Sequence, residues 1–299
     1  FQRPPYGGGN QFFLALEKAL RALGMQVSRN KLSAHVDFFI LNALWFEMDK
    51  FERFAKEHHP AVLHRIDGPV SVVRGTPDRT LDEECLRANG AYAGATILQS
   101  AWNYSKLVET GYSPVNPAVI LNSVDAEIFH PHGRVAFNRR RKIRLIASSW
   151  SDNPRKGGPV YKWLEDNLDC NRFEFTFVGR ASETFSRIRH LPAVPSEKLA
   201  HELRQHDIYI TASQGDPCSN AVLEALACGL PVLYLNDGGH PEIVGQAGLP
   251  FYKTESLLSQ LERLVENYEL YQSLIHVRSM TEVARDYLAS LEQIRELRS

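Results

Sequence analysis

Short apolar runs alternate with helix-spaced apolar stripes along nearly the whole chain, the pattern of parallel sheets built from βα units. Phe13, Leu16, Leu20 and Leu23 recur at helical spacing and predict a first helix over Asn10–Leu23, ended by Gly24. Strands are predicted at Met25–Ser28, Val36–Leu41, Ala61–Ile66, Ala95–Gln99 and Pro117–Leu121, with helices such as Trp45–His58 and Asp78–Asn89 between them. A second series opens at Ile143, with strands at Ile143–Ser148, Phe173–Val178, Ile208–Thr211 and Pro231–Tyr234. Its helices are predicted at Gly158–Asn167, Ser196–Gln205 and Ser219–Ala227. Glu269–Leu297 reads as one long helix with the stripe Met280, Val283, Tyr287, Leu291 and Ile294.

Between the two series, His130–Lys142 is irregular, polar and basic, with Pro131, Gly133 and the run Arg139-Arg140-Arg141. It reads as an interdomain linker whose arginines form a solvated face. The expected fold is therefore α/β and two-lobed. Ligands of open parallel sheets sit at the carboxyl ends of strands, so chemistry is sought in the loops that follow them. The chain opens in loop-like sequence, and a first strand upstream of helix one is expected to be missing.

Composition narrows the function. With 34 Lys plus Arg against 35 Asp plus Glu in 299 residues, the chain lacks the basic excess of a bulk nucleic-acid binder. Cys85, Cys170, Cys218 and Cys228 form no Cys-x-x-Cys or zinc-like spacing and suit a reducing, cytoplasmic setting. No apolar run reaches the ~20 residues of a membrane span, which leaves peripheral association open. No Asp-x-Asp pair or His cluster suggests a metal.

The most informative stretch runs from Ile208 to Glu242. A strand passes through the small-residue loop Ala212–Pro217 into a helix starting near Ser219, whose free N–H groups and dipole favour an anion. Glu224 lies between Leu223 and Ala225 in an apolar helix, where a carboxylate is costly unless a donor satisfies it. A ribose diol can supply two such donors.

Asp216, seven residues, Glu224, then Ala-Leu-Ala-Cys-Gly-Leu-Pro-Val resembles the hallmark of glycosyltransferase family 4, in which two glutamates hold those places. Gly238-Gly239-His240-Pro241-Glu242 resembles the family's Gly-Gly-x-Pro-Glu. The resemblance implies the GT-B fold: two Rossmann-like domains facing a central cleft, with a C-terminal helix crossing back to the N-terminal domain. It implies an N-terminal, acceptor-side domain over 1–134, a nucleotide-sugar domain over 135–275 and a returning helix over 276–299.

The resemblance also implies roles. Glu224 would hold the donor ribose, Asp216 would sit by the transferred sugar, and Ser219 and Asn220 amides would hold the diphosphate. Asp216 is one methylene shorter than the family's residue. Lys156, followed by Gly157, matches the family's diphosphate lysine, with Arg155 and Arg180 as candidates for an accompanying arginine. The glycine run ahead of helix one, including Gly8, Gly9 and then Asn10, would face the donor phosphates, since glycine lets backbone approach a ligand closely. His64 and Asp67, after a strand, occupy the region where the family often places a His or His-Asp; with Asp216 and Lys156 they are the catalytic candidates. Asn122-Ser123-Val124-Asp125 with Phe129-His130-Pro131 resembles the family's segment ahead of the linker.

The implied activity moves a sugar, with retention, from a nucleotide-diphosphate sugar to a glycan, lipid-linked or other hydroxyl acceptor, as in polysaccharide biosynthesis, without a metal or other cofactor. Two alternatives stand beside it: a nucleotide-sugar epimerase or hydrolase on the same fold, and a non-catalytic glycosyltransferase-like subunit.

Overall fold

The structure, a computed structural model, describes residues 8–42 and 47–297. The chain divides into two compact units. One gathers the leading residues through Ala15 with Ser123–Met280, and the other gathers Leu16–Asn122 with Thr281–Ser299.

The second of these units is built on a four-stranded parallel sheet ordered β1-β2-β3-β4: Phe39–Leu41, Val62–Ile66, Ala95–Leu98 and Pro117–Val119. Helix α1, Gly8–Ala22, leads into it, followed by α2 (Met48–His58), α3 (Val70–Arg74), α4 (Thr80–Tyr92) and α5 (Ala101–Glu109). Strand β2 is buried along its whole length, so it reads as a continuous apolar run broken only by His64 and Arg65.

The other unit carries a six-stranded parallel sheet ordered β10-β9-β8-β5-β6-β7. These strands are β5 (Ile143–Ser149), β6 (Phe173–Gly179), β7 (Arg189–Leu191), β8 (Ile208–Thr211), β9 (Val232–Leu235) and β10 (Gly248–Phe251). The helices between them are α6 (Gly158–Asn167), α7 (Ser196–Arg204), α8 (Asn220–Ala227), α9 (His240–Val244), α10 (Thr254–Glu266) and α11 (Tyr268–Ser273). The order reverses beside β5 and β8, and this switch point opens the crevice in which such sheets bind ligands. A buried cluster that includes Leu145, Phe177, Ile210, Leu233 and Leu261 fixes the sheet against its helices. Glu165 of α6 is buried and accepts the successive amides of Ser186, Arg187 and Ile188 at 2.5–2.9 Å. Burial pushes its carboxyl up, but Lys162 and those amides outweigh this and hold it at about 2.

Helix α12, Met280–Glu296, returns to the four-stranded unit as the resemblance implies. Val283, Ala284, Tyr287, Leu291 and Ile294 are its buried stripe. It lies so close to the sheet's surroundings that a Cβ on Gly94 would stand 2.6 Å from Ile294 Cγ2.

Several sequence expectations need correction. Met25–Ser28 is not a strand: Gly24 takes φ +87° and the Met25 amide returns to Leu20 O at 3.0 Å, so Met25 belongs to the cap of α1. Only Phe39–Leu41 of the Val36–Leu41 run pairs with β2. Glu269–Leu297 is not one helix. Tyr268, at the start of α11, is buried in the six-stranded unit with its ring stacked 3.7 Å from Phe137, whereas α12 serves the other unit, so the chain must break between them.

The linker arginines Arg139 and Arg140 are exposed as expected, but the run is not wholly solvated. Arg141 makes a bidentate pair with the fully buried Asp207 at 2.6 and 2.9 Å, and Arg139 pairs with Glu269 at 2.8 Å. Among the described residues no helix is long and apolar enough to cross a membrane.

Candidate active site

The carboxyl ends of β5 and β8 bring two loops together. After β5, Asn153 Oδ1 accepts the Arg155 amide at 2.9 Å and shapes a single 3-10 turn, Pro154–Lys156. Gly157 ends that turn at φ +95°, and a Cβ there would stand 2.8 Å from Ala212 Cβ, so only glycine lets the two loops close. The Gln214 amide donates to Arg155 O at 2.7 Å and ties the β8 loop to the β5 loop.

Across this junction Lys156 Nζ donates to Asp216 Oδ2 at 2.8 Å. Burial pushes the Asp216 carboxyl up, but Lys156, His240 and the Cys218 amide outweigh this and hold it below the usual carboxylate range. A second clamp comes from the loop after β9. Gly239 N donates to Asp216 O at 2.8 Å, and Asp237 accepts the amides of Gly215 and Gly238 at 2.9 and 2.8 Å. Gly238 has φ +65°, and a Cβ on it would come 2.3 Å from Asp216 O.

Helix α8 begins just beyond Asp216. Its N-cap Ser219 makes no side-chain cap bond, and no acidic residue occupies the first turn, so the end stays suited to an anion. Glu224, 4% exposed, keeps Oε2 without a hydrogen-bond partner. Burial raises its carboxyl to about 8, so it is protonated near neutrality. A carboxyl held this way awaits a polar partner.

Gly8 and Gly9, expected in a loop, lie with Asn10 in the first turn of α1; residues 1–7 lie outside the described residues. Gly8 approaches α8 so closely that a Cβ would meet Asn220 Nδ2 at 2.8 Å. Arg155 Nε is buried without a partner. Arg180 is exposed and, with Asp152, His190 and Pro192, lines an open cavity of about 710 Å³ beyond β5, β6 and β7. The structure thus gathers Lys156, Asp216 and the start of α8, and seats Arg180 at the neighbouring cavity. Among the described residues no group of three or more His, Cys, Asp or Glu side chains could hold a metal ion.

The four-stranded unit carries its own polar cluster at strand ends. Asp67, just after β2, accepts Asn42 Nδ2 at 3.1 Å and Gln99 Nε2 at 2.6 Å and pairs with Arg65. Asn122 accepts Arg65 Nη2 at 3.2 Å and donates to Gln99 Oε1 at 2.9 Å. Asp67 remains partly exposed.

His64 does not join this cluster. Its ring is 0% exposed, bonds Asn89 at 3.1 Å and lies beside Cys85. Burial pushes it down to about 4, against the pull of Asp67. Alternation along β2 turns it to the face covered by α4, so the structure gives it a core role in place of the expected catalytic one.

Sequence reasoning did not single out His240, Gln99, Asn42 or Arg65. The signal for three of the cluster's members was available: Asn42, Asp67 and Gln99 each directly follow a strand of one sheet.

Residues 163–267 match the family model described as glycosyl transferases group 1. The sulfoquinovosyl transferase SQD2 of Arabidopsis thaliana is 25% identical over 201 residues, 59% of this chain, and the chain spans only 39% of that relative's length. In fold, the chain is similar to sucrose-phosphate synthase from Thermosynechococcus elongatus, with a TM-score of 0.65 at 15% identity over 98% of this chain and 79% of that one. It is similar also to HepE of Anabaena, solved in complex with UDP-glucose, with a TM-score of 0.62 at 14% identity over 94% of this chain and 81% of that one. Part of the six-stranded unit is therefore similar in sequence to the group 1 glycosyl transferases, and the fold of the chain is similar to that of sucrose-phosphate synthase and HepE.

Proposed function

We propose that the chain transfers a sugar from a nucleotide-diphosphate sugar to a hydroxyl acceptor. The observation that carries this reading is the Lys156–Asp216 pair set beside α8, whose buried Glu224 lacks a partner for Oε2. Each part suits one part of such a donor. Glu224 suits the ribose hydroxyls, the start of α8 and Lys156 suit the diphosphate, and the cavity beside Arg180 has room for the base. Asp216 suits the hydroxyls of the transferred sugar.

In the transfer, the bond from the anomeric carbon to the diphosphate breaks and negative charge grows on the departing phosphate. Lys156, the α8 amides and the nearby Arg155 would stabilise that charge. In the four-stranded unit, Asp67, held by Arg65, Gln99 and Asn42, is a candidate to accept a hydrogen bond from an acceptor hydroxyl. The family resemblance supports retention at the anomeric carbon. HepE was solved with UDP-glucose, and SQD2 is a sulfoquinovosyl transferase, which favours a uridine donor as the first trial and a lipid or glycan hydroxyl as acceptor. A cytoplasmic protein of polysaccharide or glycolipid synthesis, acting at a membrane surface, fits this reading.

Thermal shift with UDP-, GDP- and ADP-sugars tests the donor site, since a ligand stabilises the state it binds. Absence of any shift would sink the reading. Incubating the donor alone separates transfer from epimerisation, because an epimerase needs no acceptor.

A further inference from the structure

His240 heads α9 and is 0% exposed. Its Nδ1 lies 3.1 Å from Leu235 O. A carbonyl oxygen only accepts, so the ring proton sits on Nδ1 and Nε2 presents a bare lone pair. Nε2 has no hydrogen-bond partner.

Its charged neighbours are Asp216, Asp237 and Lys156. The two carboxylates accept and cannot satisfy a lone pair. Lys156 gives its bond to Asp216 Oδ2. Burial pushes the imidazole below its usual range, against the pull of Asp216, which disfavours a second proton on the ring. A buried acceptor in this state calls for a donor from outside the chain.

The ring is rigidly registered to Asp216. Gly239, its direct neighbour, bonds Asp216 O at 2.8 Å, and Gly238 leaves no room for a Cβ over the same carbonyl. Asp216, for its part, is already committed: Oδ2 takes Lys156 at 2.8 Å and lies 3.5 Å from the Ser213 hydroxyl, and the Cys218 amide bonds the carboxylate as well. Its remaining accepting capacity is limited, and His240 supplies a further acceptor beside it.

Resting on the donor reading above, we infer that His240 Nε2 accepts a hydrogen bond from a hydroxyl of the transferred sugar and shares sugar recognition with Asp216. This makes His240 a specificity-determining residue. A sugar lacking that hydroxyl would leave Nε2 unpaired, so such sugars are discriminated against.

The experiment is calorimetric titration of UDP and UDP-glucose into wild-type protein, His240→Leu and His240→Gln. Leucine keeps volume without an acceptor; glutamine returns an oxygen near the place of Nε2. UDP should bind all three alike. UDP-glucose should bind His240→Leu about ten- to a hundredfold more weakly, the worth of one buried hydrogen bond, and His240→Gln should recover most of that. Equal UDP-glucose affinity in wild type and His240→Leu would overturn the inference. So would a parallel loss of UDP and UDP-glucose in both variants, which assigns the ring a purely structural role. A wild-type protein that binds none of UDP, GDP and ADP overturns the donor reading itself, and this inference with it.

Discussion

Lys156 and Asp216, sixty residues apart in sequence, meet at 2.8 Å through two loops from neighbouring strands. On the proposed donor reading, the pair holds opposite charges where the diphosphate would bind. On that reading, an arriving phosphate would draw Lys156 away from Asp216 and leave the carboxylate for sugar hydroxyls.

Lys156→Ala should therefore lower kcat more than it raises donor KM, by about 10²–10³-fold, since its charge matters most as the phosphate departs. Steady-state kinetics at varied donor concentration decide this. A raised KM with unchanged kcat would show that Lys156 supplies only uniform binding.

Asp216→Asn should leave affinity for the nucleoside diphosphate nearly unchanged, because that ligand lacks the sugar, while transfer falls steeply. Asp216→Glu restores the residue type of the family motif and should retain some activity. Wild-type turnover in Asp216→Asn would reduce Asp216 to a loop residue.

Glu224 predicts a pH dependence. Its carboxyl is raised from 4.5 to about 8 on folding, so its contribution to stability is complete below pH 4.5 and is lost as pH climbs toward about 8. Urea midpoints of the ligand-free protein should fall across that window, and Glu224→Gln should flatten the fall. Ribose hydroxyls favour the carboxylate, so nucleotide binding at neutral pH should release protons. Titration in buffers of different ionisation enthalpy measures that release, and a zero value would remove Glu224 from the ribose site.

Asp207→Ala should destabilise the protein by about 3 kcal/mol, because Arg141 and the Arg144 amide both lose a buried acceptor. A denaturation midpoint within error of wild type would return the arginine run to the status of a solvated face.

Much of the proposed donor site could be read in the sequence because it is local. Asp216, Ser219, Asn220 and Glu224 lie within nine consecutive positions of one strand–loop–helix unit, where periodicity and helix-end chemistry apply directly. Fold class was legible for the same reason. Interactions that join distant segments were not. The pairing of Arg141 with Asp207 and the packing of Phe137 on Tyr268 depend on where the linker lies, and no pattern within the linker encodes that. His64 misled because a strand end and a strand interior look alike in sequence, whereas alternation turns its ring into the core and Asp67, three positions on, to the edge. The break before α12 was hidden by a continuous helical stripe, since periodicity records amphipathicity but not which partner each half meets.

The return of α12 also sets an order of assembly. During synthesis the strands of the four-stranded unit are made before the six-stranded unit, and Tyr287, Leu291 and Ile294 come only after both. Until those side chains arrive, Gly94 lacks its Ile294 neighbour. The four-stranded unit is therefore completed only after the six-stranded unit has been made, and for that interval it is the part a chaperone would need to shield.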